Sequence, residues 1–143
     1  MKIRLRNILL KDFREEVLSK IISQQIEKTV HIKNKNVIKI LDYGSGYNPT
    51  LINKIVNILS EKYKKTKFKA SCYDFYNNKQ IHLMNSNKNN VNFFHIKKLK
   101  NINTKFDFCL IIDVLHHIGV DESEKILNTT KKLKKLSKFI IIK

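Results

Sequence analysis

The 143-residue chain has only three glycines, one proline and two cysteines, and no tryptophan. With so few breakers, long stretches are free to form regular structure, and the positions that do carry Gly or Pro become informative. Two of the glycines and the only proline fall within the six residues Gly44 to Pro49. The cysteines, Cys72 and Cys109, sit in separate apolar runs with no CxxC pair and no Cys/His cluster. That excludes a disulfide framework and gives no zinc site, so free thiols in a reducing compartment are expected. No apolar run approaches the ~18 residues that span a bilayer. The apolar stretch near the N-terminus, Ile8 to Leu10, is too short for a secretory signal, and a cytoplasmic location is expected.

Acidic residues are also scarce: 12 Asp and Glu against 29 Lys and Arg, a formal charge of +17. Such a charge suits a nucleic-acid surface. Yet arginine is nearly absent, with only Arg4, Arg6 and Arg14, and Arg is the residue whose fork reads phosphates and bases in pairs. Lys, Ile and Asn together make up 63 of the 143 residues. All three have AT-rich codons, so composition alone offers a competing origin for the charge. Under either origin the chain would attract polyanions non-specifically at low salt. What the sequence does have is 42% hydrophobic residues in one domain's length, enough to bury a core.

The apolar positions have clear periods. Leu9, Leu10, Phe13, Val17, Leu18, Ile21, Ile22 and Ile26 recur in steps of three and four, predicting a leading amphipathic helix over about 9–30. After a polar loop, "VIKIL" (37–41) predicts a buried strand. "PTLINKIVNILSEKY" (49–63) predicts a second helix, and "FKASCYDF" (68–75) a second strand. "YNNKQIHLMNSNKNN" reads as a short helix and an Asn-rich polar loop. "VNFFHI" (91–96) predicts a third strand and "FDFCLIIDVL" (106–115) a central one. "DESEKILNTTKKLKKLSK" (121–138) opens on acids and closes on lysines, as a helix macrodipole favours. "FIIIK" supplies a fifth strand. Strands alternating with helices predict an α/β fold, a doubly wound and mostly parallel five-stranded sheet with helices on both faces. Residues 1–34 would form a helix and linker packing on the sheet, and 35–143 a Rossmann-like domain. The link "KKLKNINTK" is too short for a clear helix, yet parallel pairing needs a crossover. It fits if the third and fourth strands lie on opposite sides of the first.

In such a sheet, ligands sit beyond the carboxyl ends of the strands, near the first strand's switch point. "DYGSGYNP" (42–49) lies there. Gly44 and Gly46 permit positive φ and close approach of a ligand to the backbone. Asn48 suits a helix N-cap and Pro49 its first position. A dinucleotide fingerprint, GxGxxG, would need Gly where Pro49 stands. A ligand with an amino-acid tail and a nucleoside is the other option, with Asp42 accepting from an ammonium. A plain tight strand-to-helix turn is the third. Asp74, ending the second strand, is placed to grip a ribose diol, and Phe75 to pack on a purine. Taken singly, Asp74 could equally be a solvated strand end. Asp42, Asp74 and Asp113 all fall at carboxyl ends of strands, which forms one acidic rim.

Together these residues resemble the class I S-adenosylmethionine-dependent methyltransferases. The family's first motif, an acid followed by glycines at alternate positions, is similar to "DYGSGYN", with Asn48 in place of the last glycine. Its ribose-binding acid matches Asp74, and its fourth-strand signature resembles "FDFCLIIDVLHHI" (106–118). "LKKLSKFIIIK" is similar to the helix and strand that follow. The resemblance covers roughly 35–143 and rests on three ordered blocks.

It implies S-adenosylmethionine as cofactor. Asp42, Tyr43, Gly44, Ser45, Gly46, Tyr47 and Asn48 would surround its methionine part, and Asp74 and Phe75 its nucleoside. Ile96 stands in the loop that usually contacts adenine, although "FFHIKK" lacks the familiar acid. Asp113 and Val114 would line the pocket near the sulfonium. His117 would face the acceptor as base or orienting group, or else serve the helix start structurally, as would His116. Methyl transfer chiefly needs alignment, with a base only for a poor nucleophile. No metal is implied, since neighbouring histidines without further ligands make a weak site. "DVLH" replaces the Asn/Asp-Pro-Pro-aromatic motif of base-amine methylation, so a small-molecule or lipid-like acceptor is expected.

The family fold normally continues past the fifth strand, so the chain reads as truncated, with "FIIIK" as an apolar edge. A homodimer or a second polypeptide could complete that edge. Binding of the cofactor without turnover, or methylation of RNA through the lysine surface, are the alternative functions.

Overall fold

A computed structural model describes residues 2–46, 50–86, 90–112 and 123–143 of the chain. The elements follow in the order helix α1 (Lys2–Thr29), a 3-10 turn (Ile32–Asn34), strand β1 (Val37–Tyr43), α2 (Thr50–Lys62), β2 (Lys67–Asp74), α3 (Asn78–Asn85), β3 (Val91–His95), a 3-10 helix (Ile96–Asn101), β4 (Phe106–Ile111), α4 (Ser123–Leu136) and β5 (Ser137–Ile142). The strands form one sheet in the order β3-β2-β1-β4-β5, and every pair is parallel.

The expected α/β sheet is therefore present, with β3 and β4 on opposite sides of β1. The link between them is not featureless: Ile96–Asn101 forms a 3-10 helix, capped by His95 Nδ1, which accepts from the Lys97 amide at 3.1 Å. Leu99 is its buried anchor. A six-residue 3-10 helix shows no 3.6-residue periodicity, which is why the spacing of apolar residues gives no sign of it. The leading helix starts at Lys2 rather than near Leu9, since nothing in residues 2–8 breaks a helix.

Two apolar layers sandwich the sheet. On one side α2 contributes Ile52, Ile55, Val56 and Leu59, which meet Ile38, Ile40, Phe68, Ala70, Phe108 and Leu110 of the strands. The spacing of the α2 set is the helical stripe that the sequence shows. Helix α1 lies against α2 and inserts Ile22 and Ile26 into the same core. Its apolar stripe is wider than its buried face, for Phe13, Val17 and Ile21 are exposed. On the other side Leu41, Tyr73, Cys109 and Ile111 meet Leu99 and Leu133, with Ile96 and Leu136 at the margin.

Every residue of β4 is buried, which fits its place between β1 and β5 and its unbroken apolar run. Register is reinforced by aromatic pairs directly opposite one another. Tyr73 stacks on Phe94 at 5.2 Å, and Phe108 on Phe139 at 5.6 Å. Strand β5 is the edge, and Phe139 and Ile142 on it are 39% and 50% exposed.

At the amino ends of the strands, Asp107 ties three segments together. Its carboxylate accepts from Lys35 Nζ and from the Lys39 amide at 3.0 Å, and lies 3.7 Å from Lys138 Nζ. Burial opposes its charge, but the Lys35 hydrogen bond and the Lys39 amide hold its pKa below the usual value. A depressed carboxylate contributes stability above the unfolded pKa and loses it as pH falls through the folded one. Asp107→Asn should therefore lower stability at pH 7 by about 1–3 kcal/mol and flatten the acid limb of a pH–melting profile. An unchanged acid limb in that variant would show that the network carries no such charge.

Candidate functional site at the carboxyl ends of the strands

The in-register pairing of β1 with β2, from Val37↔Lys67 to Tyr43↔Tyr73, brings the ends of both strands to one rim. The pairing Asp74↔His95 adds the end of β3. Here β1 turns outward through two glycines with left-handed backbone, Gly44 at φ 74° and Gly46 at φ 71°. Few other residues adopt that conformation at low cost. Among the described residues a Cβ at Gly46 meets nothing within 4 Å, so the glycine is required by its φ rather than by crowding.

The loop is held from β2. The Gly44 amide donates to the Tyr73 carbonyl at 2.8 Å. The Gly46 amide donates to Asp74 Oδ2 at 2.7 Å, and Asp74 Oδ1 accepts from the Phe75 amide at 2.6 Å. Asp74 thus organises the glycine turn, and each of its oxygens retains a lone pair for a further donor. A second fastening comes from Tyr76, whose hydroxyl donates to the Gly46 carbonyl at 2.5 Å and pairs with Ser45 Oγ at 2.5 Å. Tyr76 is 1% exposed, and its ring meets Phe93 edge-on at 6.0 Å. The sequence reading placed Tyr76 in a polar stretch and missed it. Its one sequence signal is its position: it directly precedes Asn77, which caps α3 through a reciprocal pair with Gln80, and it begins the segment just past the acidic strand end.

Asp42 lies beneath this turn, 9% exposed. Burial first, and the neighbouring Asp74 second, push its pKa up to about 7. No hydrogen bond or ion pair from another described residue reaches its carboxylate. The same burial, with Asp42 nearby, pushes the Cys109 thiol up to about 12 and raises that of Cys72. Both cysteines are free and buried, and both are poor nucleophiles as a result.

The other sequence candidates divide. Ser45 and Gly46 face the loop's own fastenings. Tyr43 is half-buried, and burial, with the Asp74 carboxylate nearby, raises its phenol's pKa while Thr129 of α4 lowers it. Phe75 is 69% exposed on the rim, with its ring edge-on to His95 at 6.2 Å. Ile96 packs into the second apolar layer. Tyr47, Asn48, Asp113, Val114, His116 and His117, together with Pro49, lie outside the described residues.

The geometry forms an acidic pocket floor, Asp42 with Asp74, under an open glycine loop. Because Asp42 binds a proton more tightly when folded, its contribution to stability falls as pH rises from about 4 to about 7 and is constant above. Asp42→Asn should raise the melting temperature at pH 8 but not at pH 4. The gain should reach a few kcal/mol, at about 1.4 kcal/mol per tenfold in proton affinity. Equal melting of variant and parent at pH 8 would contradict a buried, uncompensated charge. Tyr76→Phe should cost about 1 kcal/mol and speed amide hydrogen exchange at Gly46 while leaving that at β4 unchanged.

No protein-family model matches the chain, and no curated protein does. Solved structures do. A protein from Listeria monocytogenes assigned as a class I S-adenosylmethionine-dependent methyltransferase superposes with a TM-score of 0.52 at 21% identity. The match covers 66% of this chain and 29% of the other. MNMC2 from Aquifex aeolicus gives 0.42 at 18% identity over 55% of this chain and 33% of that one. The pyocyanin biosynthetic protein PhzM gives 0.38 at 11%, over 65% and 26%. At those scores the last two add no support. The chain thus spans about a third or less of the length of the structures it matches. The chain's own five-stranded parallel sheet and its superposition on the Listeria protein establish the fold, a Rossmann-like α/β architecture of the kind found in that structure.

Proposed function

We propose that the chain is the cofactor-binding core of an S-adenosylmethionine-dependent methyltransferase. The observation that carries the reading is Asp42, a buried carboxylate with no cation beside it among the described residues, under a glycine loop with no described atom near a Cβ at Gly46. A buried charge without a partner costs free energy that a bound cation returns. An acidic floor in a chain of formal charge +17 selects a ligand that is itself cationic. S-adenosylmethionine, with its ammonium and sulfonium, is such a ligand, and its sulfonium supplies an activated methyl group.

The residues present fit it. Asp42 would accept from the ammonium, and the backbone of Gly44 to Gly46 would lie against the amino-acid end. Asp74 would accept from the ribose hydroxyls with its spare lone pairs, and Phe75 would cover one purine face. The chain's part in catalysis is to align the donor against a nucleophile. His117 is the candidate base for an acceptor that must lose a proton. The small-molecule or lipid-like acceptor belongs to the same proposal, supported by the resemblance of "DVLHHI" to that branch of the family. A second copy or another polypeptide pairing with β5 belongs to it as well, supported by the exposed Phe139 and Ile142 on that edge.

Binding without turnover is the second reading. Calorimetry with S-adenosylmethionine and its demethylated product separates the outcomes. Binding should be detected, weaken at least tenfold in Asp74→Ala and in Gly44→Arg, and strengthen as pH rises from about 5.5 to 7 while Asp42 ionises. No heat with either compound would sink the cofactor reading. Heat without methyl transfer to any fraction of a cell extract would favour binding alone.

A further inference from the structure

The lysines are not spread evenly over the fold. Lys97, Lys98 and Lys100 project from the 3-10 helix, and Lys131, Lys132, Lys134 and Lys135 from the last turns of α4. In those two segments, 96–101 and 131–136, seven of twelve residues are lysine and none is acidic, against 26 lysines in the 143 residues of the chain. Both segments cover the same face of the sheet, since Leu99 and Leu133 anchor them in one apolar layer. The 3-10 helix lies over β2 and β3, and α4 over β5. The two groups of lysines therefore lie over opposite edges of the sheet on one face, with β1 and β4 between them.

The opposite face has a different balance. There Glu16 pairs with Lys20 at 3.0 Å and Lys54 at 3.6 Å, and Glu27 with Lys62 at 2.7 Å. None of the seven lysines has a carboxylate partner among the described residues. Residues 62–69 are as rich, with five lysines in eight residues and no acid, but they lie at the end of α2 and the start of β2; what marks this face is that two segments distant in sequence bring their lysines over one apolar layer. The helix macrodipole favours the lysines at the end of α4, but it does not reach those of the 3-10 helix.

We infer that this face binds the phosphodiester backbone of a nucleic acid, without reading its sequence. Lysine is a point charge suited to phosphates, and the scarcity of arginine leaves nothing there to read bases in pairs. A bilayer is a poorer match, because an interfacial helix needs a broad exposed apolar stripe. In α4, Leu133 is buried and Leu136 half-buried in the core, which leaves Leu127 exposed among the described positions. The 3-10 helix leaves the carboxyl rim at His95 and the α4 lysines lie toward the other end of the strands, so binding along this face would tether the chain. The inference holds or fails independently of the cofactor reading.

The test uses the full chain, fluorescently labelled RNA and DNA duplexes of about 20 base pairs, and anisotropy from about 50 to 200 mM KCl. Two sets of substitutions are compared: Lys98, Lys100, Lys131 and Lys134 to Gln, and Lys28, Lys33, Lys64 and Lys65 to Gln. Both remove four charges, and all eight side chains are exposed. The first set should lower affinity at least tenfold and reduce the salt slope by about 3, while the second changes affinity by less than about twofold. Preference for RNA or DNA in the parent then assigns the source of the backbone. Equal losses in both sets, or none in the first, would overturn the inference. So would binding to phosphatidylcholine–phosphatidylserine vesicles that depends on the first set while the duplexes are ignored. Circular dichroism verifies folding, and the pairs Lys98/Lys100 and Lys131/Lys134, changed separately, repeat the comparison if the quadruple variant unfolds.

Discussion

The carboxylate of Asp74, held between the amides of Gly46 and Phe75, is the contact on which the candidate site depends. It joins the outgoing turn of β1 to the end of β2, two segments 28 residues apart in sequence. Without it, a loop with two left-handed glycines would be among the most mobile parts of the chain, since glycine loses the most freedom on ordering. The sheet makes the contact possible, because parallel pairing in register delivers both strand ends to one rim. Tyr76 then fastens the same loop from the apolar side, so polar and packing constraints converge on Gly46.

This arrangement sets two needs against each other. Organising the turn requires a carboxylate at Asp74, and that charge makes ionisation of Asp42 harder still. Among the described residues nothing compensates Asp42, an acid raised to about 7 that an asparagine would relieve. Such a local penalty is hard to explain by packing and simple to explain by a cationic ligand, because sites that bind charge are built before the charge arrives.

Much of this was legible in the sequence, for identifiable reasons. The five strands and the second and fourth helices follow from period and from apolar runs such as "FCLII", whose burial is dictated by two neighbouring strands. Asp42, Gly44, Gly46 and Asp74 were legible because strand ends and positive-φ turns demand particular residue types. Tyr76 was not, since its role depends on the reach of a phenol across thirty residues to Gly46, which no local pattern encodes. The 3-10 helix lacked a period to detect. The stripe on α1 overstated burial because periodicity reports which residues share a face and not whether a partner covers all of it; Phe13, Val17 and Ile21 share that face and remain exposed.

Charge shows most plainly what the fold adds to composition. The sequence gives a sum of +17, and a sum has no direction. Folding resolves it into three zones. The rim holds Asp42 and Asp74, one face pairs acids with lysines, and on the other the 3-10 helix and the last turns of α4 carry lysines while Glu124 stands at the opposite end of α4. A cation arriving at the rim would meet local attraction within a repelling whole, so small size and a buried approach favour it, whereas a polyanion would meet the densest uncompensated lysines over the 3-10 helix and the end of α4. On the proposed reading the two surfaces would take ligands of opposite sign, and neither preference could be read from the net charge that generates both.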